Sequence, residues 1–175
     1  MVVCKGNKRE RNMNCIVAAD KNWAIGKDNG LLVHLPEDLK YYKEKTIGKV
    51  IVIGRKTLES FPGGKPLPNR TNLVLTGNPK YKNDSCTVCC GIDALEKEME
   101  KYSDKDIFVS GGAMIYNLFL DRCDVVYVTK LYDEFEADTY FPNMDKKENY
   151  KVTWESDIME EKGVSYRFVK YEKIK

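Results

Sequence analysis

A carboxylate on the inward face of a helix, and two glycine turns beside cationic residues, are the features of this sequence with the type and spacing to do chemistry. Residues 34–43 read HLPEDLKYYK. Pro36 suits a first helical position, because its missing N–H would be unpaired there anyway. Leu35, Leu39 and Tyr42 recur at i, i+4 and i+7 and mark the inward stripe. Asp38 lies three residues after Leu35 and four before Tyr42, so it shares that stripe. Burial disfavours the charged form of a carboxylate, and such a group can hold or relay a proton near neutral pH. Its plainer role would be to complement the positive end of the helix dipole.

The glycine turns are Gly54-Arg55-Lys56-Thr57 and Gly111-Gly112-Ala113. Each joins an apolar strand-like run to a helical pattern, so backbone N–H groups open towards an anion at a helix start. Arg55 and Lys56 add positive charge. Glycine at such a turn also serves backbone geometry alone. Neither turn has the spacing of a Walker A loop or of the GxGxxG fingerprint, which points to some other nucleotide-binding fold.

These groups must be carried by a scaffold in which apolar runs alternate with helical patterns. That order predicts an α/β domain with a mostly parallel sheet. The expected strands are 15–19, 50–53, 72–76, 86–90, 107–110 and 125–130; the expected helices are 36–46, 55–60, 92–102 and 113–120. Residues 164–171 alternate and follow a turn at 160–163, which predicts an antiparallel hairpin closing one edge. Segments 20–32 and 61–69 are the irregular ones, and irregular segments of this kind commonly cover ligands.

Composition excludes several classes. Hydrophobic residues make up 42% and charged residues 32% of 175, the balance of one globular domain. Apolar runs of about five residues are far short of the roughly 20 that a spanning helix needs. A formal charge of +2 spread along the chain is too dilute for nucleic acid. Residues 1–12, with Lys5, Lys8, Arg9 and Arg11, read as a flexible basic extension without the apolar stretch of a secretory signal. The domain proper is expected over 13–175. Cys15, Cys86, Cys89 and Cys90 fall in or beside apolar runs, as free thiols of a reducing cytoplasm would. No metal site is expected, since Cys86, Cys89 and Cys90 lack a second pair and the single histidine, His34, is remote.

Six segments in order, IVAADKNWAIG at 16–26, LPEDLKYYK at 35–43, IGRKTLES at 53–60, PLPNRTNLVLT at 66–76, VSGGAMIY at 109–116 and ADTYFP at 137–142, resemble the dihydrofolate reductase family. The resemblance covers residues 13–172. It implies a single α/β domain, with an eight-stranded mostly parallel sheet, an antiparallel C-terminal hairpin and four flanking helices. It implies NADPH-dependent reduction of dihydrofolate to tetrahydrofolate, a step of one-carbon metabolism and a target of antifolates. A monomer is expected because nothing suggests a large exposed apolar surface. Hydride would pass to pterin C6, and Asp38 would bind the pterin and promote protonation at N5, with Thr129 hydrogen-bonded to it. Ile16 and Ser110 would offer backbone carbonyls to the pterin amino group. Val17, Leu39, Tyr42, Phe61 and Leu67 would line the substrate, and Arg70 would grip its glutamate tail. On the cofactor side the resemblance implies Ala18, Ile25, Gly54, Arg55, Lys56, Thr57, Leu75, Thr76, Gly111, Gly112, Ala113, Met114, Ile115 and Tyr116, with a cis Gly111–Gly112 bond. Residues 24–33 would form the loop that closes over the nicotinamide.

The chain departs from the family at three places. Val33 stands where relatives often have tryptophan, Ser110 where they have a bulkier apolar residue, and Gly77 where an arginine or serine often meets the adenosine 2′-phosphate. That leaves Lys56, Thr76, Asn78 or Lys80 to read the phosphate. A riboflavin-pathway reductase, a phosphotransferase and a non-catalytic nucleotide-binding module are the rival readings. The first two give no reason for Asp38 followed by Arg70 or lack a metal-binding carboxylate pair, and the third does not need Asp38 and Thr129 together.

Overall fold

The structure, a computed structural model, describes residues 11–175. The first strands and helices are β1 (Met13–Ala19), β2 (Ala24–Gly26), α1 (Pro36–Thr46), β3 (Val50–Gly54), α2 (Arg55–Ser60), β4 (Thr71–Thr76), β5 (Thr87–Cys90) and α3 (Ile92–Met99). They are followed by β6 (Ile107–Val109), α4 (Ala113–Phe119), β7 (Cys123–Leu131), β8 (Thr139–Tyr140), β9 (Tyr150–Glu155), β10 (Met159–Glu161) and β11 (Val164–Lys173).

The main sheet runs in the order β10-β11-β7-β1-β6-β3-β4-β5. From β7 to β5 every pairing is parallel, while β11 runs antiparallel to β7. β10 pairs with Val164–Tyr166 and β9 with Val169–Lys173, so the two lie end to end along the outer edge of β11. The sheet is thus eight strands wide, with β9 as an additional edge segment. A two-stranded ribbon of β2 and β8 stands apart from it.

Side-chain alternation sorts the core onto two faces of the sheet. Val50, Val52, Leu73 and Leu75 join Leu95, Ile115 and Phe119 on the face covered by α3 and α4. Ile51, Ile53, Val74, Ile16 and Phe108 form the other cluster with Leu58 of α2, and Tyr42 of α1 packs against it. α1 is further anchored by Tyr41, whose ring stacks on Phe168 of β11 at 3.9 Å and 12°.

The bounds of α1 and α2 coincide with the sequence expectation. α3 ends at Met99 instead of Tyr102, because Lys101 and Tyr102 turn tightly onto Glu98 and Met99. β9 had no counterpart in the sequence reading, since its Val152 and Trp154 stay exposed. Cys90 faces solvent although its run is apolar, because strand alternation turns it away from the buried Cys89. Of the expected basic extension, residues 1–10 lie outside the described residues. Arg11 is buried and pairs with Asp104 at 2.8 Å, so the packed structure already includes it.

Candidate active site

Parallel strands place their C-terminal ends along one rim of a sheet, where ligands of open α/β folds bind. Here that rim gathers the ends of β1, β3, β6 and β7. Thr129 on β7 lies beside Ala18 on β1, and Cys15 lies beside Val109 of β6. α1 crosses this rim with its first turn over β7.

Asp38 turns its carboxyl towards the sheet. The buried Thr129 hydroxyl donates to Asp38 Oδ1 at 2.6 Å. Burial pushes the Asp38 carboxyl above the usual aspartate range, the Thr129 bond opposes that rise, and the negative charge of Glu161 adds to it. The Tyr41 phenol, one turn on, is pushed up to about 12 by burial and by the charges of Tyr127 and Asp38.

The stripe that carries Asp38 is less enclosed than its spacing implies. Leu35 is buried, Tyr42 is half-buried and Leu39 is 43% exposed. The inner face of α1 borders the rim of the sheet instead of a closed core, so only the residues at its two ends, Leu35 and Thr46, are buried.

At the opposite end of α1 stands Arg70. Its Nε donates to the Pro68 carbonyl at 3.0 Å and its guanidinium to Thr46 Oγ1 at 3.2 Å; Thr46 in turn donates to the Tyr42 carbonyl. No acidic side chain among the described residues pairs with Arg70. Burial lowers its affinity for its proton, and Tyr42 partly offsets that. From Asp38 to Thr46 the helix advances about 12 Å. A carboxyl and a fixed guanidinium that far apart, along one helix face, suit an elongated ligand with a heterocycle at one end and an anion at the other. Phe61 and Leu67 are half-buried apolar neighbours of the core cluster that Tyr42 also packs against.

The two glycine turns meet. The Gly54 N–H donates to the Gly111 carbonyl at 2.9 Å, and the Gly111–Gly112 peptide is cis, as expected. A Cβ on Gly112 would lie 3.4 Å from Thr57 Oγ1. The starts of α2 and α4 carry no side-chain cap and no acidic residue in the first turn. Arg55 is braced by Glu59 at 3.1 Å, whereas Lys56 is exposed. The loop before α1 reaches this turn, for Asn29 Nδ2 donates to the Lys56 carbonyl at 2.8 Å.

Several expected contacts come out differently. Val17 alternates away from α1, and its side chain joins the opposite core cluster. Leu75 and Ile115 are buried in that same cluster, which leaves only their backbones near the rim. Tyr116 is buried too, and its hydroxyl donates to the Ile16 carbonyl at 2.8 Å. That carbonyl keeps a second lone pair for a ligand amino group. The Thr76 hydroxyl accepts the Asn78 N–H at 3.1 Å and so holds a turn instead of facing outward. Ser110, Ala18, Ile25 and Ala113 are half-buried at the rim, and Met114 is 63% exposed.

Three contributors escaped sequence reasoning: Tyr41, Thr46 and Glu161. The first two carry a signal, since they lie three and eight residues beyond Asp38 on the same helix. Glu161 carries none, because its proximity depends on how the hairpin docks.

Comparison with known proteins agrees with this geometry. The sequence matches the dihydrofolate reductase family over residues 12–173. It is 42% identical over 160 residues to the dihydrofolate reductase of Bacillus subtilis (strain 168), covering 90% of this chain and 92% of the relative. To the dihydrofolate reductase of Staphylococcus haemolyticus it is 37% identical over 164 residues, covering 93% and 96%. The solved structure of dihydrofolate reductase from Enterococcus faecalis, complexed with NADP(H) and RAB-propyl, superposes with a TM-score of 0.83 at 33% identity, covering 95% of this chain and 98% of that one. With the sheet order, the paired glycine turns and the Asp38–Thr129 contact, these similarities establish that the chain belongs to the dihydrofolate reductase family.

Proposed function

We propose that this chain reduces dihydrofolate to tetrahydrofolate with NADPH, and that Asp38 is the ionisable group on which the proton transfer turns. The observation that carries the reading is the Asp38 carboxyl, half-buried on α1, fixed by Thr129 and standing one helix length from Arg70.

NADPH, when bound, supplies a hydride to the pterin. The joined glycine turns fit its diphosphate, since both helix starts offer N–H groups with no side-chain cap and no acidic residue in the first turn. Gly54, Arg55, Lys56, Thr57, Gly111, Gly112, Ala113 and Met114 would hold it. With Thr76 buried, Lys56 and Lys80 are the exposed cations left for the 2′-phosphate.

Asp38 accepts hydrogen bonds from the pterin amino group and N3 while the Ile16 and Ser110 carbonyls orient the same edge. Its raised pKa lets it keep a proton to higher pH than an ordinary aspartate, and that proton is passed towards N5. Thr129 fixes the carboxyl so that its second oxygen faces the ligand. Tyr42, Phe61 and Leu67 offer apolar walls to the middle of the substrate, and Arg70 takes the glutamate α-carboxylate as a charge-assisted pair. Orientation and a polar environment arranged in advance supply most of the acceleration.

The reading includes a monomer in a reducing cytoplasm. The five described cysteines are unbridged, which supports the latter. The decisive assay is loss of NADPH absorbance on adding dihydrofolate. Oxidation that requires dihydrofolate supports the reading, and oxidation indifferent to it sinks it.

A further inference from the structure

The start of α1 lacks a local cap, because Leu35 occupies the capping position and offers no acceptor. The acceptor comes from the other end of the chain. Glu161 ends β10, and its Oε2 accepts the Glu37 N–H at 3.3 Å. The next residue, Lys162, donates its ammonium to the His34 carbonyl at 3.1 Å. Beneath these polar contacts Leu35 packs in one cluster with Leu131, Val164 and Tyr166. A single hairpin turn therefore grips both sides of the helix start, immediately before Asp38.

We propose that Glu161 is a positioning residue for the reduction, holding the first turn of α1 and placing a second negative charge beside the Asp38 carboxyl. The proposal rests on the assignment of Asp38 above. The groups that act on Asp38, or on which Asp38 acts, come from every neighbouring element: Thr129 on β7, Tyr166 on β11, Tyr116 on α4, Tyr41 on α1 itself, and Glu161 on β10. No cation of the described residues is among those that shift Asp38. Tyr166 is buried, and burial followed by the charges of Glu161, Glu37 and Asp38 pushes its phenol up, so it adds no charge at neutral pH. Among the described residues, Glu161 is thus the one anion acting on Asp38 there. Like charges disfavour a second ionisation, so the Asp38 proton is retained to higher pH than burial alone would allow.

Glutamine at this position keeps an acceptor for the Glu37 N–H and removes the charge. The test is the pH dependence of kcat, at saturating NADPH and dihydrofolate, for wild type, Glu161→Gln and Glu161→Asp. For Glu161→Gln the midpoint of the alkaline fall should move to lower pH by about half a unit, which lowers turnover about threefold above the midpoint. Glu161→Asp should restore most of the shift. A purely structural role would change KM or Tm and leave the midpoint in place, and that result overturns the proposal. Should Glu161→Gln fail to fold, salt replaces the substitution. Glu161 is only half-buried, so added salt should screen it and move the wild-type midpoint the same way. A midpoint indifferent to salt then overturns the proposal. Asp38→Asn separates the two claims. Undiminished turnover in Asp38→Asn removes the Asp38 assignment itself, while a severe loss there with an unmoved Glu161→Gln midpoint removes only the role of Glu161.

Discussion

The Thr129 hydroxyl donates to Asp38 Oδ1 at 2.6 Å across 91 residues of sequence. This bond ties the helix that carries the acid to the strand beneath it, and it stabilises the ionised carboxyl against the effect of burial. Two functions meet in one contact, orientation and adjustment of proton affinity.

Thr129→Val removes the donor while keeping the shape of the side chain. The pH–rate midpoint should move upward, since a force that lowers the Asp38 pKa is gone. KM for dihydrofolate should rise about tenfold, the scale of a lost hydrogen bond to a charged group. Thr129→Ser should restore both values. A Thr129→Val enzyme with the wild-type profile would show that the bond is incidental.

Arg70→Leu tests the far end of the helix. Its guanidinium is held by Pro68 and Thr46 and faces no acid among the described residues. KM for dihydrofolate should rise about a hundredfold, while a reduced pterin lacking the glutamate tail should bind as before. Such a split marks loss of binding common to ground and transition states. Equal weakening of both ligands would move the carboxylate site elsewhere.

Asp38 should also affect stability. Its folded pKa lies above the ordinary value of 3.8, so the folded state holds a proton over a pH range where the unfolded chain releases it. Stability from that proton is complete below the unfolded pKa and is lost as pH rises through the folded one. Asp38→Asn should therefore be more stable than wild type at neutral pH, by on the order of 1 kcal/mol and about 3 °C in Tm. The difference should close in acid. Thermal unfolding across pH measures it, and equal Tm values at neutral pH would mean that the carboxyl is not disfavoured by its surroundings.

Much of this was legible in the residues because the signals are local. Pro36 marks where α1 begins, and a glycine before Arg55 marks the start of α2. The motif blocks also bring Asp38 and Arg70 into one scheme, and the resemblance they carry adds Thr129, although neither spacing nor composition would do so. What stayed hidden is relational. Val17 and Ile16 are adjacent, yet strand alternation sends their side chains to opposite faces of the sheet. Thr76 carries a free-looking hydroxyl, but it is buried and accepts the N–H of a turn two residues on. β9 alternates Tyr150, Val152 and Trp154 and still buries only the first, because it lies at an edge. Glu161 reaches α1 only after the last hairpin has docked.

The most direct test of the account is the turnover of Asp38→Asn against wild type, followed as dihydrofolate-dependent NADPH oxidation from acid to alkaline pH. At neutral pH the variant should lose on the order of a hundredfold or more, the contribution of a positioned proton donor, and the gap should narrow in acid, where solvent protons substitute for the carboxyl. Equal rates at every pH would contradict the claim that Asp38 governs the proton step.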